Sequence, residues 1–304
     1  MKKDLISIRD LTADEIESIF KLTDELKKDP SEFDKHLAFK SIALIFQKPS
    51  NRTRVSFEVG MYQLGGNSIY LSPEEINLGV RESIKDVAKT LSRYVDGLVL
   101  RTFEHKNVLE LAKFATVPVI NGLSDFSHPC QALADVYTVR EKLKNIKKAT
   151  LAYVGDGNNV CNSLLYLCPK AGLNIHIGTP KGYEPCNVVL KEAKAMAHTT
   201  GTSVKLFNNP AEAVKAADVI YTDVWASMGQ EKEAEKRKKI FKAFQVNKKL
   251  VKSAGKKVLI MHCLPAHRGM EITDEVIDGP GSIVFDQAEN RMHVQKAILI
   301  KLLG

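Results

Sequence analysis

Lys147-Lys148-Ala149-Thr150-Leu151-Ala152-Tyr153-Val154-Gly155-Asp156-Gly157-Asn158-Asn159 is the stretch on which the fold turns. Ala149 to Val154 reads as a strand, and the glycines after it read as a tight turn into a helix. The same alternation has already run once upstream. Thr12 with Glu15 forms a capping box ahead of an apolar stripe of Ile16, Ile19, Phe20 and Leu26. Strand-like runs at Ser41–Phe46, Asn67–Leu71, Gly97–Leu100 and Val117–Ile120 are separated by helical patterns, and a long helix is expected from Pro129 to about Lys144. Downstream, Leu173–Ile177, Val204–Phe207, Val219–Tyr221, Val258–Met261 and Ile283–Phe285 continue as strand-like runs. Two alternating halves joined by a helix predict two α/β domains, each a mostly parallel sheet flanked by helices.

Composition narrows the function. The chain has 304 residues, 44% hydrophobic and 26% charged, which excludes a disordered or fibrous protein. No run of about 18 apolar residues is present, so no membrane-spanning helix is expected. Met1-Lys2-Lys3-Asp4-Leu5 leads into an acidic helix without a signal-peptide core. Five cysteines (Cys130, Cys161, Cys168, Cys186, Cys263) lie scattered with no C-x-x-C, and read as reduced thiols of a cytoplasmic protein. The net charge of +8 comes from one place. Between Glu231 and Lys257 there are 11 Lys and Arg against 3 acidic residues, which leaves 33 of each sign elsewhere. Such a segment is either a solvated helix with its flank or a nucleic-acid patch; Phe241 and Phe244, at helical spacing, are expected to face a core.

In parallel sheets ligands bind beyond the carboxyl ends of the strands, so the polar residues there carry the chemistry. Gln47-Lys48-Pro49-Ser50-Asn51-Arg52-Thr53-Arg54 follows the first strand and opens a helix, where free N–H groups, hydroxyls and guanidiniums suit an anion. A capped helix start with surface ion pairs is the plainer alternative. No G-x-x-x-x-G-K-[ST] is present, so it is not a nucleotide P-loop. Arg101-Thr102 ends the third strand. His128-Pro129-Cys130-Gln131 opens the long helix, with His128 as either a structural histidine or a donor to a developing oxyanion. Gly155-Asp156-Gly157 resembles half a dinucleotide fingerprint, but Val160 replaces its third glycine; Asn159 is a candidate ligand donor. Asp223 offers a carboxylate to an ammonium group, and Ser227-Met228-Gly229 reads as a loop that closes over a ligand. His262-Cys263-Leu264-Pro265 ends a strand. His262, Cys263 and His267 have no second ligand cluster to complete a zinc site, so no metal is expected. A cysteine nucleophile would be a further possibility there.

Together these motifs, with Arg291 near the C-terminus, resemble the aspartate/ornithine carbamoyltransferase family, over the chain from first helix to last. Ser227-Met228-Gly229 and His262-Cys263-Leu264-Pro265 favour ornithine over aspartate as acceptor. The resemblance implies transfer of the carbamoyl group of carbamoyl phosphate to the side-chain amine of L-ornithine without a cofactor. It implies a carbamoyl-phosphate-binding domain over residues 1–140, an ornithine-binding domain over 141–286, and a helix over 287–304 packed back on the first. Ser50, Asn51, Arg52, Thr53 and Arg101 would hold the phosphate. Thr53, Arg101, His128, Gln131 and Arg291 would surround the carbamoyl group. Asn159, Asp223, Ser227 and Met228 would hold the amino-acid end of ornithine, with Cys263 and Leu264 near its side-chain amine. Catalytic roles fall to Arg101, His128, Cys263 and Arg291. Glu82 would orient an arginine of the phosphate loop, and Asn77 would reach a neighbouring subunit's site to bind carbamoyl phosphate there, which implies a homotrimer or a multiple of trimers. The family's usual Ser-Thr-Arg-Thr-Arg carries Asn51 here; its amide and backbone N–H still donate, so phosphate binding is expected to persist. Another amine acceptor (putrescine or an acylated ornithine), a dehydrogenase and a nucleic-acid-binding protein are the rival readings.

Overall fold

The computed structural model describes residues 3–226 and 233–304. Two compact units emerge, one of Met1–Leu133 with Asn290–Gly304, the other of Ala134–Glu289. The divisions fall inside two helices, Pro129–Leu143 and Val284–Leu303.

The first unit is built on four strands: β1 (Ser41–Phe46), β2 (Asn67–Leu71), β3 (Gly97–Arg101) and β4 (Val119–Leu123). They lie in the order β2-β1-β3-β4 and every pairing is parallel. β1 and β3 are buried along nearly their whole length, as apolar runs must be in a sheet covered on both faces. From β1 the chain moves outward to β2, then returns past β1 to β3. The connections leaving β1 and β3 therefore diverge, and a crevice opens at their carboxyl ends. Phe46 is level with Arg101 in the register, and the Gln47 amide donates to the Arg101 carbonyl at 2.8 Å. Two polar clusters that begin 54 positions apart in sequence, at Gln47 and Arg101, thus start side by side.

The second unit has five strands: β5 (Thr150–Val154), β6 (Asn174–Gly178), β7 (Val204–Phe207), β8 (Val219–Thr222) and β9 (Leu259–His262). Their order is β7-β6-β5-β8-β9, again all parallel. The direction of winding reverses between β5 and β8. Val154 is level with Thr222 and Thr222 with His262, so Gly155, Asp223 and Cys263 leave the sheet in one row.

Local signals explain the helices that matter. Ser50 caps the helix Asn51–Gln63, which ends at Leu64 and turns away through Gly65 at φ 81°. A Cβ on Gly65 would lie 2.5 Å from the Asp34 carbonyl oxygen, so no other residue fits. The strand expected at Ile283–Phe285 is not formed. Ser282 makes a single bridge to Ile260, and the helix begins at Val284. Three apolar residues cannot distinguish the two periods, and Phe285 is 70% exposed while Ile283 and Val284 face inward. Phe241 and Phe244 are buried in the second unit's core, as their spacing suggested. In the same basic segment Arg237 turns inward and pairs with Asp156 at 2.9 Å, whereas the neighbouring Lys236, Lys238 and Lys239 are exposed.

Candidate active site

In the first unit the polar side chains converge on one hydroxyl. Thr53, fully buried in the first turn of the helix Asn51–Gln63, receives the Arg291 Nη2 donor at 2.6 Å and the Arg101 Nη1 donor at 3.4 Å. Ser50 Oγ donates to the same oxygen at 3.1 Å and accepts from the Thr53 amide. Arg291 Nη1 also donates to Gln131 Oε1 at 3.2 Å. Two guanidiniums, a helix N-terminus and a buried amide thus share one corner. The Asn51 and Arg52 amides, and the Arg52 side chain, have no hydrogen-bonding partner among the described residues. Donors in excess of acceptors are what an anion requires.

His128 immediately precedes the helix that carries Gln131, and only 4% of its surface is exposed. Burial first, then the charges of Arg291 and Arg101, hold its imidazole well below the ordinary histidine value. It is therefore neutral at physiological pH and can donate one N–H without adding a third cation. Burial pushes the neighbouring Cys130 thiol up to about 12, leaving it inert.

Not every expected residue joins this cluster. Asn77 is exposed at the left-handed end of the short helix Pro73–Ile76, with φ 37°. Its neighbour Leu78 is tied instead, its carbonyl accepting from Gln47 Nε2 at 3.1 Å. Glu82 is exposed and forms no ion pair among the described residues, so within one chain it orients neither arginine of the loop. Arg54 pairs with Glu58 at 2.9 Å and lies 4.0 Å over the Tyr70 ring.

In the second unit the row Gly155, Asp223, Cys263 is closed by a residue that pattern reading passed over. Asn158 caps the helix Asn159–Lys170 through its Oδ1, which also accepts from the Tyr153 hydroxyl at 3.1 Å. Its Nδ2 donates to Asp223 Oδ2 at 2.7 Å. Asp223 Oδ1 accepts from the Val224 amide at 2.8 Å and from the Cys263 thiol at 3.0 Å. All these donors are neutral, so none of them is a counter-ion to the Asp223 carboxylate. Asn159, singled out from sequence, is the first residue of that helix, and its Oδ1 accepts from the Val160 amide at 2.9 Å. The doublet Asn158-Asn159 hid which of the two joins the strands. The N-cap preference was the available signal.

Burial first, then the Asp223 carboxylate, push the Cys263 thiol well above its ordinary value. It is a hydrogen-bond donor here, not a nucleophile. Leu264 follows in the left-handed region, φ 56°, which branched side chains rarely enter. The metal-type atoms of Asp223, His262 and Cys263 lie within 4.8 Å of one another. Yet His262 Nδ1 already accepts from the Leu264 amide at 2.8 Å and Nε2 faces Glu271 at 3.1 Å, so the ring has no lone pair to give a cation. Ser227 and Met228 lie outside the described residues.

Comparison with known proteins also divides the chain into two parts. Residues 3–141 match the aspartate/ornithine carbamoyltransferase carbamoyl-P binding domain, and residues 147–302 match the Asp/Orn binding domain of that family. The chain is 56% identical to the ornithine carbamoyltransferase of Thermococcus kodakarensis over 305 residues, covering 99% of this chain and 96% of that one. Ornithine carbamoyltransferase from Pyrococcus furiosus is 55% identical, with a TM-score of 0.96 and coverage of 99% and 97%. The anabolic enzyme of Campylobacter jejuni is 37% identical, with a TM-score of 0.94 and coverage of 98% of both chains. With both halves matched in order and the strand-end clusters in place, the chain belongs to the aspartate/ornithine carbamoyltransferase family.

Proposed function

We propose that this chain transfers the carbamoyl group of carbamoyl phosphate to the δ-amine of L-ornithine, giving L-citrulline and phosphate. The observation that carries the reading is the convergence of Ser50, Arg101 and Arg291 on Thr53 beside a neutral His128. In this reading residues 1–140, with residues 287–304 of the last helix and its end, bind carbamoyl phosphate. Residues 141–286 bind ornithine.

Ser50, Asn51, Arg52, Thr53 and Arg101 hold the phosphate. The amides at the helix start and the Arg52 side chain meet its oxygens. Thr53, Arg101, His128, Gln131 and Arg291 surround the carbamoyl group. Asp223 takes the α-ammonium of ornithine, with Asn159, Ser227 and Met228 about the amino-acid end and Cys263 and Leu264 near the δ-amine. That amine arrives mostly protonated, its pKa near ~10.4. Only its neutral form attacks, and loss of the proton is favoured beside guanidiniums in a water-poor site. As the new C–N bond forms, the carbonyl oxygen becomes negative. Donors from Thr53, Arg101 and His128, already fixed, stabilise that charge more than they stabilise the substrate. The C–O bond to phosphate then breaks. Arg52 and the helix N-terminus offset the charge on the departing phosphate, which takes the amine proton, so no protein base is needed.

The molecule works as a homotrimer, or a multiple of trimers, in the cytoplasm and serves arginine biosynthesis. Supporting self-association, Val55, Val59 and Tyr62 form an exposed apolar stripe on one helix, and Ile69 is exposed on the edge strand β2. Asn77, outside its own chain's cluster, would complete a neighbour's carbamoyl-phosphate site. Among the described residues no helix is long and apolar enough to cross a membrane.

A colorimetric citrulline assay with a panel of acceptors tests the reaction. Ornithine should be carbamoylated, while putrescine, N-acetylornithine and aspartate should give at most a trace. Preference for any of those three would overturn the assignment. Sedimentation equilibrium at three times the monomer mass, or a multiple of that, is the corresponding expectation for assembly.

A further inference from the structure

Glu271 is fully buried, as is His262, and neither has a place in the chemistry above. Their contacts close the segment that follows β9. The Leu264 amide donates to His262 Nδ1 at 2.8 Å, which leaves the ring proton on Nε2, aimed at Glu271 Oε1 at 3.1 Å. The same carboxylate oxygen accepts from the His267 amide at 2.5 Å. Glu271 therefore grips the segment at both ends, through the His262 ring at its start and the main chain at its finish. The His262 main chain is held as well, its amide donating to Gln287 Oε1 at 3.0 Å. Between these fixed points Leu264 is kept at φ 56° and the Cys263 thiol stays on Asp223.

We infer that Glu271 is a positioning residue for the acceptor site: it selects the His262 tautomer whose Nδ1 receives the Leu264 amide, and so fixes where Cys263 and Leu264 stand around the ornithine amine. This rests on the reading of Cys263 and Leu264 as acceptor-binding residues. Were the ring proton on Nδ1, two N–H groups would meet head on and the half-buried Leu264 amide would lose its acceptor. A carboxylate opposite Nε2 removes that alternative, as it does for histidines that must present one particular nitrogen.

The test uses the full-length protein. Glu271→Met fills a similar volume with no acceptor, whereas Glu271→Gln keeps an oxygen where the two N–H groups converge. The Met variant should raise the KM for ornithine about tenfold, the loss of one positioning hydrogen bond, with carbamoyl phosphate affected by about twofold or less. Glu271→Gln should recover most of that loss. At position 262, Asn places a carbonyl oxygen where Nδ1 stands, and Gln places its amide where Nε2 stands. His262→Asn should therefore hold ornithine more tightly than His262→Gln, a difference that a general packing role would not produce. Nitrogen-15 NMR of histidine-labelled wild-type protein needs no variant to fold, and should show the His262 proton on Nε2 with Nδ1 as the acceptor. A proton on Nδ1, equal KM increases for both substrates, or a lowered Tm with no change in ornithine KM would overturn the inference. Asp223→Asn separates the two levels. If it leaves the ornithine KM unchanged, the acceptor-site reading itself is wrong. If it raises that KM while Glu271→Met does not, only the role of Glu271 falls.

Discussion

Thr53→Val is the sharpest probe of the anion corner. Valine matches threonine in shape, so packing is kept and the backbone cap from the Thr53 amide to Ser50 survives. What disappears is the oxygen at which Arg291, Arg101 and Ser50 meet, at 2.6, 3.4 and 3.1 Å. The Arg291 bond dominates: it is short, buried and charge-assisted, and such a bond contributes about 1.5–3 kcal/mol. The longer Arg101 contact adds at most a few tenths of a kcal/mol. A loss of about 2 kcal/mol of positioning, felt in the transition state, corresponds to a fall of about 30-fold in kcat/KM. Citrulline formation with carbamoyl phosphate varied at saturating ornithine reads this directly. A thermal melt of the same sample shows whether the fold is intact. Thr53→Ser retains the hydroxyl and should stay within about threefold of wild type. If the valine variant kept wild-type kcat/KM while remaining folded, Thr53 would not organise the two guanidiniums, and the reasoning would fail.

Further expectations are narrower. Arg101→Leu should cut turnover by about 10²-fold if its guanidinium polarises the carbamoyl oxygen, and near-normal turnover would remove it from the mechanism. The folded protein holds His128 well below its ordinary value of 6.5. In the unfolded chain this histidine gains a proton as pH falls below 6.5, before the folded one does, so stability should drop with pH across that window and be unaffected above it. Tm measured from pH 7 to pH 5 should fall less steeply in His128→Gln. An unchanged slope would deny that histidine its buried, neutral state. Cys186 is exposed, whereas the Cys263 thiol is shifted upward. Iodoacetamide at pH 8 should therefore label Cys186 first and leave activity intact, as mass spectrometry and the citrulline assay would show; rapid alkylation of Cys263 would contradict its assignment as a neutral donor.

The strand-helix alternation was readable because a parallel sheet buried on both faces demands apolar runs such as Ile42–Phe46 and Leu151–Val154. The helix starts were readable because their caps are local, as at Thr12 and Ser50. Where three apolar residues stood alone, at Ile283–Val284–Phe285, no period existed to read and the helix was mistaken for a strand. In the same way, the sequence named Asp223 and Cys263 but not the Asn158 amide that donates to Asp223, because whether that amide reaches the next strand depends on the β5–β8 register.

By itself the sequence determined the two α/β halves, the chemistry available at each strand end and, through the motifs taken together, the family. Only the tertiary structure decided that Arg101 and Arg291, 190 positions apart, share the Thr53 oxygen, that His128 is neutral, and that Glu271 holds the segment after β9. The physical reason is that residue type is written locally, whereas burial and the company of other charges arise only when parallel strands, linked by long crossovers, bring distant carboxyl ends into one row.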